Sequence, residues 1–226
     1  MFARAAGLES ALETFPALRE IPIVRHAFLG RIPGIDVATN RTAALERLEA
    51  AHRTLRAERG LADKSLITAE QVHGNGIAVI ESPPASDRCY AGVDGLITNQ
   101  PSVSLGIYVA DCCAVYLVDP VQRCLGLVHS GKKGTELAIV EKAIREMQER
   151  FASDPRDLVV QLSPCIRPPH YEIDFAAEIV RKARRAGVEK VHDSGVCTAC
   201  DLERYYSYRA EKGQTGRMLA LLALRD

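Results

Sequence analysis

The chain has 226 residues, 47% hydrophobic and 26% charged, which is ordinary for a soluble globular protein and long enough to bury a sizeable core. Its 29 basic residues balance 29 acidic ones, so no net field draws it to nucleic acid or to an anionic membrane. The opening "MFARAAGLESALETF" is acidic early and lacks the apolar run of a secretory signal, and no stretch approaches the ~18 apolar residues of a membrane span.

Seven cysteines (89, 112, 113, 124, 165, 197 and 200), an odd count with one adjacent pair, point to reduced thiols and a cytoplasmic location. No repeat or low-complexity linker divides the chain, and the Pro/Ser cluster "ESPPASD" at 81–87 is a loop, so residues 1–226 are expected to form a single domain.

In chain order, the first clear element is a helix between Asn40 and Gly60. Leu45, Leu48, Ala51 and Leu55 fall at helical spacing there, with Asn40 as N-cap and Gly60 as stop. Strand-like runs follow: "SLITAEQVHG", "GIAVIES", "DGLITN", "VSLGIYVADCCAVYLVD" and "RCLGLVHSG". The last leads into a helix striped by Leu137, Val140, Ile144, Met147 and Phe151. "LVVQLSPC" reads as a buried strand. Residues 175–186 form an amphipathic helix stopped by Gly187, its "RKARR" at 181–185 being a solvated face. "TGRMLALLAL" is expected to be a short helix. Strands in the middle with helices around them predict a layered α/β (α+β) fold, with mixed central sheets flanked by helices.

The stretch "LGLVHSGKKGTELA" carries most of a G-x-x-x-x-G-K-[ST] phosphate loop. The hydroxyl position is Lys133, however, and a histidine sits inside the cradle, which argues against a nucleoside-triphosphatase. His129 instead ends a strand, before a turn and a helix N-terminus that offer backbone N–H groups to an anion. His73 likewise ends the run "EQVHGNG", beside glycines that let a ligand approach. Asp111, in an otherwise apolar run, requires a donor or a cation. Alternation points Cys112 and Cys113 to opposite faces, so only one of them can join a site.

Two histidines and one thiolate would offer zinc three ligands and an open fourth position, or alternatively form a Cys–His nucleophilic pair. Spacings of 39 residues from His73 to Cys112 and 17 from Cys112 to His129 do not decide between these readings. "CTAC" at 197–200 has C-x-x-C spacing but no second pair to complete a structural zinc site, and is read as structural.

Assembled, these blocks resemble the YfiH-like family, also known as laccase-domain or polyphenol-oxidoreductase proteins and as purine nucleoside phosphorylases. The resemblance runs from about His26 to the C-terminus. It rests on "NR" at 40–41, "QVHG" at 71–74, "DGLIT" at 94–98, "ADC" at 110–112 and "VHSGKKGT" at 128–135, followed by "SPCI", "YEID", "CTAC" and "YYSYRAEKGQTGRM". It implies that His73, Cys112 and His129 are both the metal ligands and the catalytic trio, which selects Cys112 over Cys113.

The resemblance further implies phosphorolysis of adenosine, inosine, guanosine or methylthioadenosine to free base and sugar 1-phosphate, with adenosine deamination in some members and a link to peptidoglycan editing in others. Copper is implied by the laccase label, but zinc suits a His₂Cys set better. The expected partners are a purine nucleoside and phosphate, with no nucleic acid and no membrane.

One departure stands out. The family's Trp-Arg is Lys132-Lys133 here, which keeps the charge and loses the planar fork, and the chain has no tryptophan. Arg41, Lys132, Lys133 and Arg209 are the candidate anion-binding residues. "SPCI" also replaces a usual Gly-Pro. The alternatives are a Cys–His hydrolase or amidase acting on peptidoglycan precursors, with Cys112 as nucleophile, and a ligand-binding protein without catalysis.

Overall fold

A computed structural model describes residues 10–225. In chain order the strands are β1 (Leu12–Glu13), β2 (Val24–Leu29), β3 (Ser65–Ala69), β4 (Ile77–Ile80), β5 (Arg88–Tyr90) and β6 (Gly95–Thr98). They continue with β7 (Val103–Val109), β8 (Cys113–Asp119), β9 (Cys124–Ser130), β10 (Val159–Leu162), β11 (Lys190–Asp193) and β12 (Met218–Leu224). The helices among the described residues are α1 (Pro16–Arg19), α2 (Arg41–Glu58), α3 (Lys132–Glu136), α4 (Ile139–Phe151) and α5 (Phe175–Arg185), and one 3₁₀ turn spans Thr198–Cys200.

Two mixed six-stranded sheets result, ordered β1-β2-β12-β7-β3-β5 and β11-β10-β8-β9-β6-β4. Strand alternation builds the layers. In β8, Ala114, Tyr116 and Val118 enter the core shared with the first sheet. Cys113, Val115 and Leu117 enter a second core with Ile139, Ile144 and Met147 of α4 and Ile179 of α5. The two sheets therefore stack face to face, with α4 and α5 against the second and α2 packed on the first through Leu48, Leu55 and the His52–Tyr108 contact, the layered mixed α/β arrangement that the sequence pattern predicts.

Helix α2 starts and stops where expected: Asn40 Oδ1 accepts the Ala43 N–H at 3.1 Å, and Gly60 follows in the left-handed region at φ +66°. The basic run of α5 is largely ion-paired, Arg181 with Glu178, and Lys182 and Arg185 with Glu141.

Three expectations are corrected. Residues 218–224 are a strand, not a helix: β12 is buried along its whole length and runs antiparallel between β2 and β7. Met, Leu and Ala favour a helix in isolation, but an apolar run this short carries no period to decide, and burial on both faces selects the sheet.

The helix after His129 is two helices. Ala138 takes a left-handed conformation (φ +57°) between α3 and α4, which leaves Leu137 outside the apolar stripe and exposed.

The long run through "VADCC" is also broken. It leaves the first sheet as β7, turns at Asp111 (φ +80°) and enters the second sheet as β8. The chain makes the same crossing between β3 and β4.

Candidate metal centre

The two crossings bring the site together. His73 lies on the β3–β4 connection, past the end of its strand, and Cys112 closes the turn between β7 and β8. His129 is in β9, whose hydrogen-bonded partners include β6 and β8. One ligand atom from each of the three falls within 4.8 Å of the others, and the two imidazoles stand edge to face with centroids 4.9 Å apart. Cys113, the first residue of β8, packs into the helix-facing core, whereas Cys112, still in the turn, stands with the histidines.

A carboxylate organises the trio. Asp94, fully buried just before β6, accepts from His129 Nδ1 at 2.8 Å and from the His73 N–H at 2.9 Å through Oδ1, and from the Gly74 N–H at 2.7 Å through Oδ2. Burial opposes the Asp94 charge, but these hydrogen bonds, led by that from His129, hold its pKa below the ordinary value. With Nδ1 engaged, His129 presents Nε2 to the site.

Gln71 fixes the other histidine loop by donating to the Tyr108 carbonyl and accepting the Tyr108 N–H at 3.0 Å. This anchoring sustains two non-glycine residues in the left-handed region, Gln71 (φ +65°) and His73 (φ +59°).

Electrostatics polarises the group. Burial pushes the Cys112 thiol up, but the neighbouring His129 charge and hydrogen bonds from both histidines outweigh it and bring the pKa to about 6. Burial lowers His129, and the Cys112 thiolate and Asp94 outweigh that, raising it to about 9. Each of the two groups thus shifts the other toward its charged form. Space is tight on the far side: a Cβ at Gly131 would lie 2.5 Å from Cys112 Sγ.

Asp111 has the donors its burial requires. Thr198 Oγ1 donates to Oδ1 and the Arg209 N–H to Oδ2, each at 2.7 Å. Thr135, the hydroxyl nearest to a phosphate-loop position, is turned onto Ser130 Oγ at 2.9 Å.

The trio opens into a cavity of about 580 Å³. Arg41, Lys132 and Arg209 line it; Lys133 is exposed and is not among the lining residues. Arg209 stacks on Tyr171 and pairs with Glu172 at 3.1 Å. Two cavity features stand apart from the sequence candidates: Arg217, buried beside Tyr208, and an aromatic wall of Tyr108, Tyr171 and Tyr208. Asp94 carries the clearest retrospective signal, a carboxylate directly before a buried Gly-Leu-Ile-Thr strand. The cysteines of "CTAC" do not line the cavity.

Comparison with known proteins places this geometry in context. The sequence profile described as multi-copper polyphenol oxidoreductase laccase matches residues 30–183 and 171–225. The purine nucleoside phosphorylase YlmD of Geobacillus stearothermophilus is 31% identical over 202 residues, covering 71% of this chain and 72% of the relative. A purine nucleoside phosphorylase of Deinococcus radiodurans is 30% identical over 232 residues, covering 89% of each. Among solved structures, Geobacillus stearothermophilus YlmD superposes with a TM-score of 0.76 at 25% identity over 94% of each chain. The Bacillus licheniformis protein YfiH superposes with a TM-score of 0.77 at 22% identity, over 89% of this chain and 93% of that one. No helix among the described residues is long and apolar enough to cross a membrane.

Proposed function

Because this chain belongs to the multi-copper polyphenol oxidoreductase laccase family, of which YfiH-like proteins are members, we propose that it is a zinc-dependent purine nucleoside phosphorylase. The observation that carries the reading is that His73, Cys112 and His129 bring their ligand atoms within 4.8 Å of one another in the lining of the cavity.

Two imidazoles and one thiolate match the N/S ligation of zinc, with three protein ligands and room for a fourth. A mononuclear copper site of His₂Cys type usually adds an axial methionine, and no methionine lines this cavity. His73, Cys112 and His129 would hold the ion, which would act as a Lewis acid beside the substrate.

The chain's own residues supply the rest. Tyr108, Tyr171 and Tyr208 offer flat apolar faces to a purine. Arg41, Lys132, Arg209 and Arg217 bring positive charge to one cavity, where phosphate would be held for attack on C1′ of the ribose as the C1′–N9 bond breaks and the purine leaves. Lys133 is assigned no contact. Asp94 keeps His129 in one tautomer and carries no part of the substrate. Adenosine deamination would use the same purine position, with C6 toward the trio.

The test is chromatography of adenosine and inosine incubated with protein, with and without phosphate, beside Cys112→Ala. Phosphate-dependent release of free base, absent in the variant, is expected. Full activity in Cys112→Ala would overturn the reading.

A second reading has its own support: Cys112, His129 and Asp94 are also arranged as nucleophile, base and orienting carboxylate, as in a thiol hydrolase acting on cell-wall precursors. A strong chelator separates the two, since it abolishes only the zinc activity.

A further inference from the structure

Sequence spacing alone leaves the "CTAC" cysteines without partners, and the fold supplies one. His170, on the segment that follows β10, places Nδ1 3.5 Å from Cys200 Sγ and 3.8 Å from Cys197 Sγ, and the three donor atoms lie within 4.8 Å of one another.

Those separations are the relevant measure. With Zn–S near 2.3 Å and Zn–N near 2.05 Å, a tetrahedral S–Zn–N edge is about 3.6 Å, so both sulfurs already stand at ligating distance from the same nitrogen. A hydrogen-bonding explanation serves only one of the thiols, because a single ring nitrogen cannot be the partner of both at full strength.

The frame around the cluster is fixed by backbone hydrogen bonds. The Cys200 N–H donates to the Cys197 carbonyl, closing the C-x-x-C turn. The Cys165 N–H donates to Val196 and the Thr198 N–H to Cys165, which lace that turn to the segment leading to His170. Arg167 pairs with Asp193 beneath it. His170 and Cys200 are exposed and Cys197 half-buried, so an ion from solution has direct access and a water can complete the shell.

We propose that His170, Cys197 and Cys200 form a second zinc site, separate from the cavity, whose role is to clamp two segments of the cavity wall. One segment carries Tyr171 and Glu172, which together hold the Arg209 guanidinium. The other carries Thr198, whose hydroxyl holds Asp111 next to Cys112. The ligand class is a borderline-soft divalent cation favouring mixed thiolate and imidazole donors, and zinc is the common case.

The test measures zinc per chain by elemental analysis, on full-length protein dialysed against zinc with a thiol reductant. Wild type is expected to hold two equivalents. Cys200→Ser, His170→Ala and Cys112→Ser are each expected to hold one, and Cys112→Ser combined with Cys200→Ser none. The three ligands lie at or near the surface, and circular dichroism confirms folding of the variants.

Cobalt(II) gives a second readout. Thiolate-to-cobalt charge transfer should persist in Cys112→Ser and vanish when Cys200→Ser is added. Equal zinc in wild type and Cys200→Ser, or no thiolate band in Cys112→Ser, would overturn the proposal. Neither readout depends on what reaction the cavity performs.

Discussion

Asp94 Oδ1 lies 2.8 Å from His129 Nδ1 and also accepts the backbone N–H of His73, so one buried carboxylate oxygen orients both histidines of the trio. Asp94→Asn keeps the shape and removes the charge, and an amide can present its NH₂ to His129 and force the wrong tautomer. Outer partners of metal-ligating histidines are typically worth 10- to 100-fold in affinity or activity, so a loss of about that size is expected. Zinc competition titration and steady-state kinetics check it, and unchanged values would remove Asp94 from its positioning role.

Gly131 leaves no room for a side chain beside Cys112. Gly131→Ala puts a methyl group 2.5 Å from the resting position of Sγ, so the thiol must swing away from the histidines. We expect zinc affinity and activity to fall by about tenfold or more, since the sulfur that would ligate the ion is displaced. Gly134→Ala is the control: its Cβ would meet nothing closer than 3.4 Å, and it should behave as wild type in the same titration.

Lys132 and Lys133 are neighbours in sequence with different surroundings. Only Lys132 lines the cavity. A charged hydrogen bond to phosphate is worth about 1.5–3 kcal/mol, so Lys132→Gln should raise the KM for phosphate by about tenfold or more. Lys133→Gln should leave it within about twofold. Initial rates across a phosphate series decide, and equal effects would mean that the pair acts only as diffuse charge.

Two histidines away from the site predict acid sensitivity. Burial holds His26 and His52 near a pKa of about 4; His26 Nε2 accepts the Phe15 N–H, and buried His52 Nε2 has no hydrogen-bond partner. Depressed folded-state values mean that the neutral forms favour folding. The contribution is fully present above the unfolded pKa of about 6.5 and is lost as pH falls toward 4, by roughly 3 kcal/mol for each group. Thermal melts from pH 7 to pH 4 should therefore show a steep fall in Tm, and His52→Leu should flatten it. Parallel curves would show that His52 charges as easily folded as unfolded.

Much of this was legible in the sequence because local chemistry was strong. Asn40 and Gly60 bound α2, and Gly187 stops α5 with φ +97°. Elsewhere the deciding forces were tertiary. "MLALLAL" suits a helix until two strands bury both of its sides, and "KKGTELAIV" suits one helix until Ala138 turns left-handed. The short edge strand β5 and the exposed β11 are too brief and too polar to announce themselves.

The trio was readable as residue types at turns, but its assembly depends on two crossings between sheets that no spacing reveals. Asp94 and Arg217 fall in quoted motifs, yet only the fold shows what they face. His170 is farther still from legibility, since 27 positions separate it from Cys197.

The placement of β12 has a consequence for how the chain is made. In the sheet order β1-β2-β12-β7-β3-β5, the last of these strands to be translated lies in the interior, between β2 and β7. Until residues 218–224 leave the ribosome, that sheet exists as a ribbon of β1 and β2 and a separate trio of β7, β3 and β5, each with a bare apolar edge. A two-stranded ribbon is marginal in water, and pairing Leu219 with Leu29 closes a very long loop. Nascent chains stalled before Met218 are therefore the species most exposed to edge-to-edge aggregation and to chaperone capture.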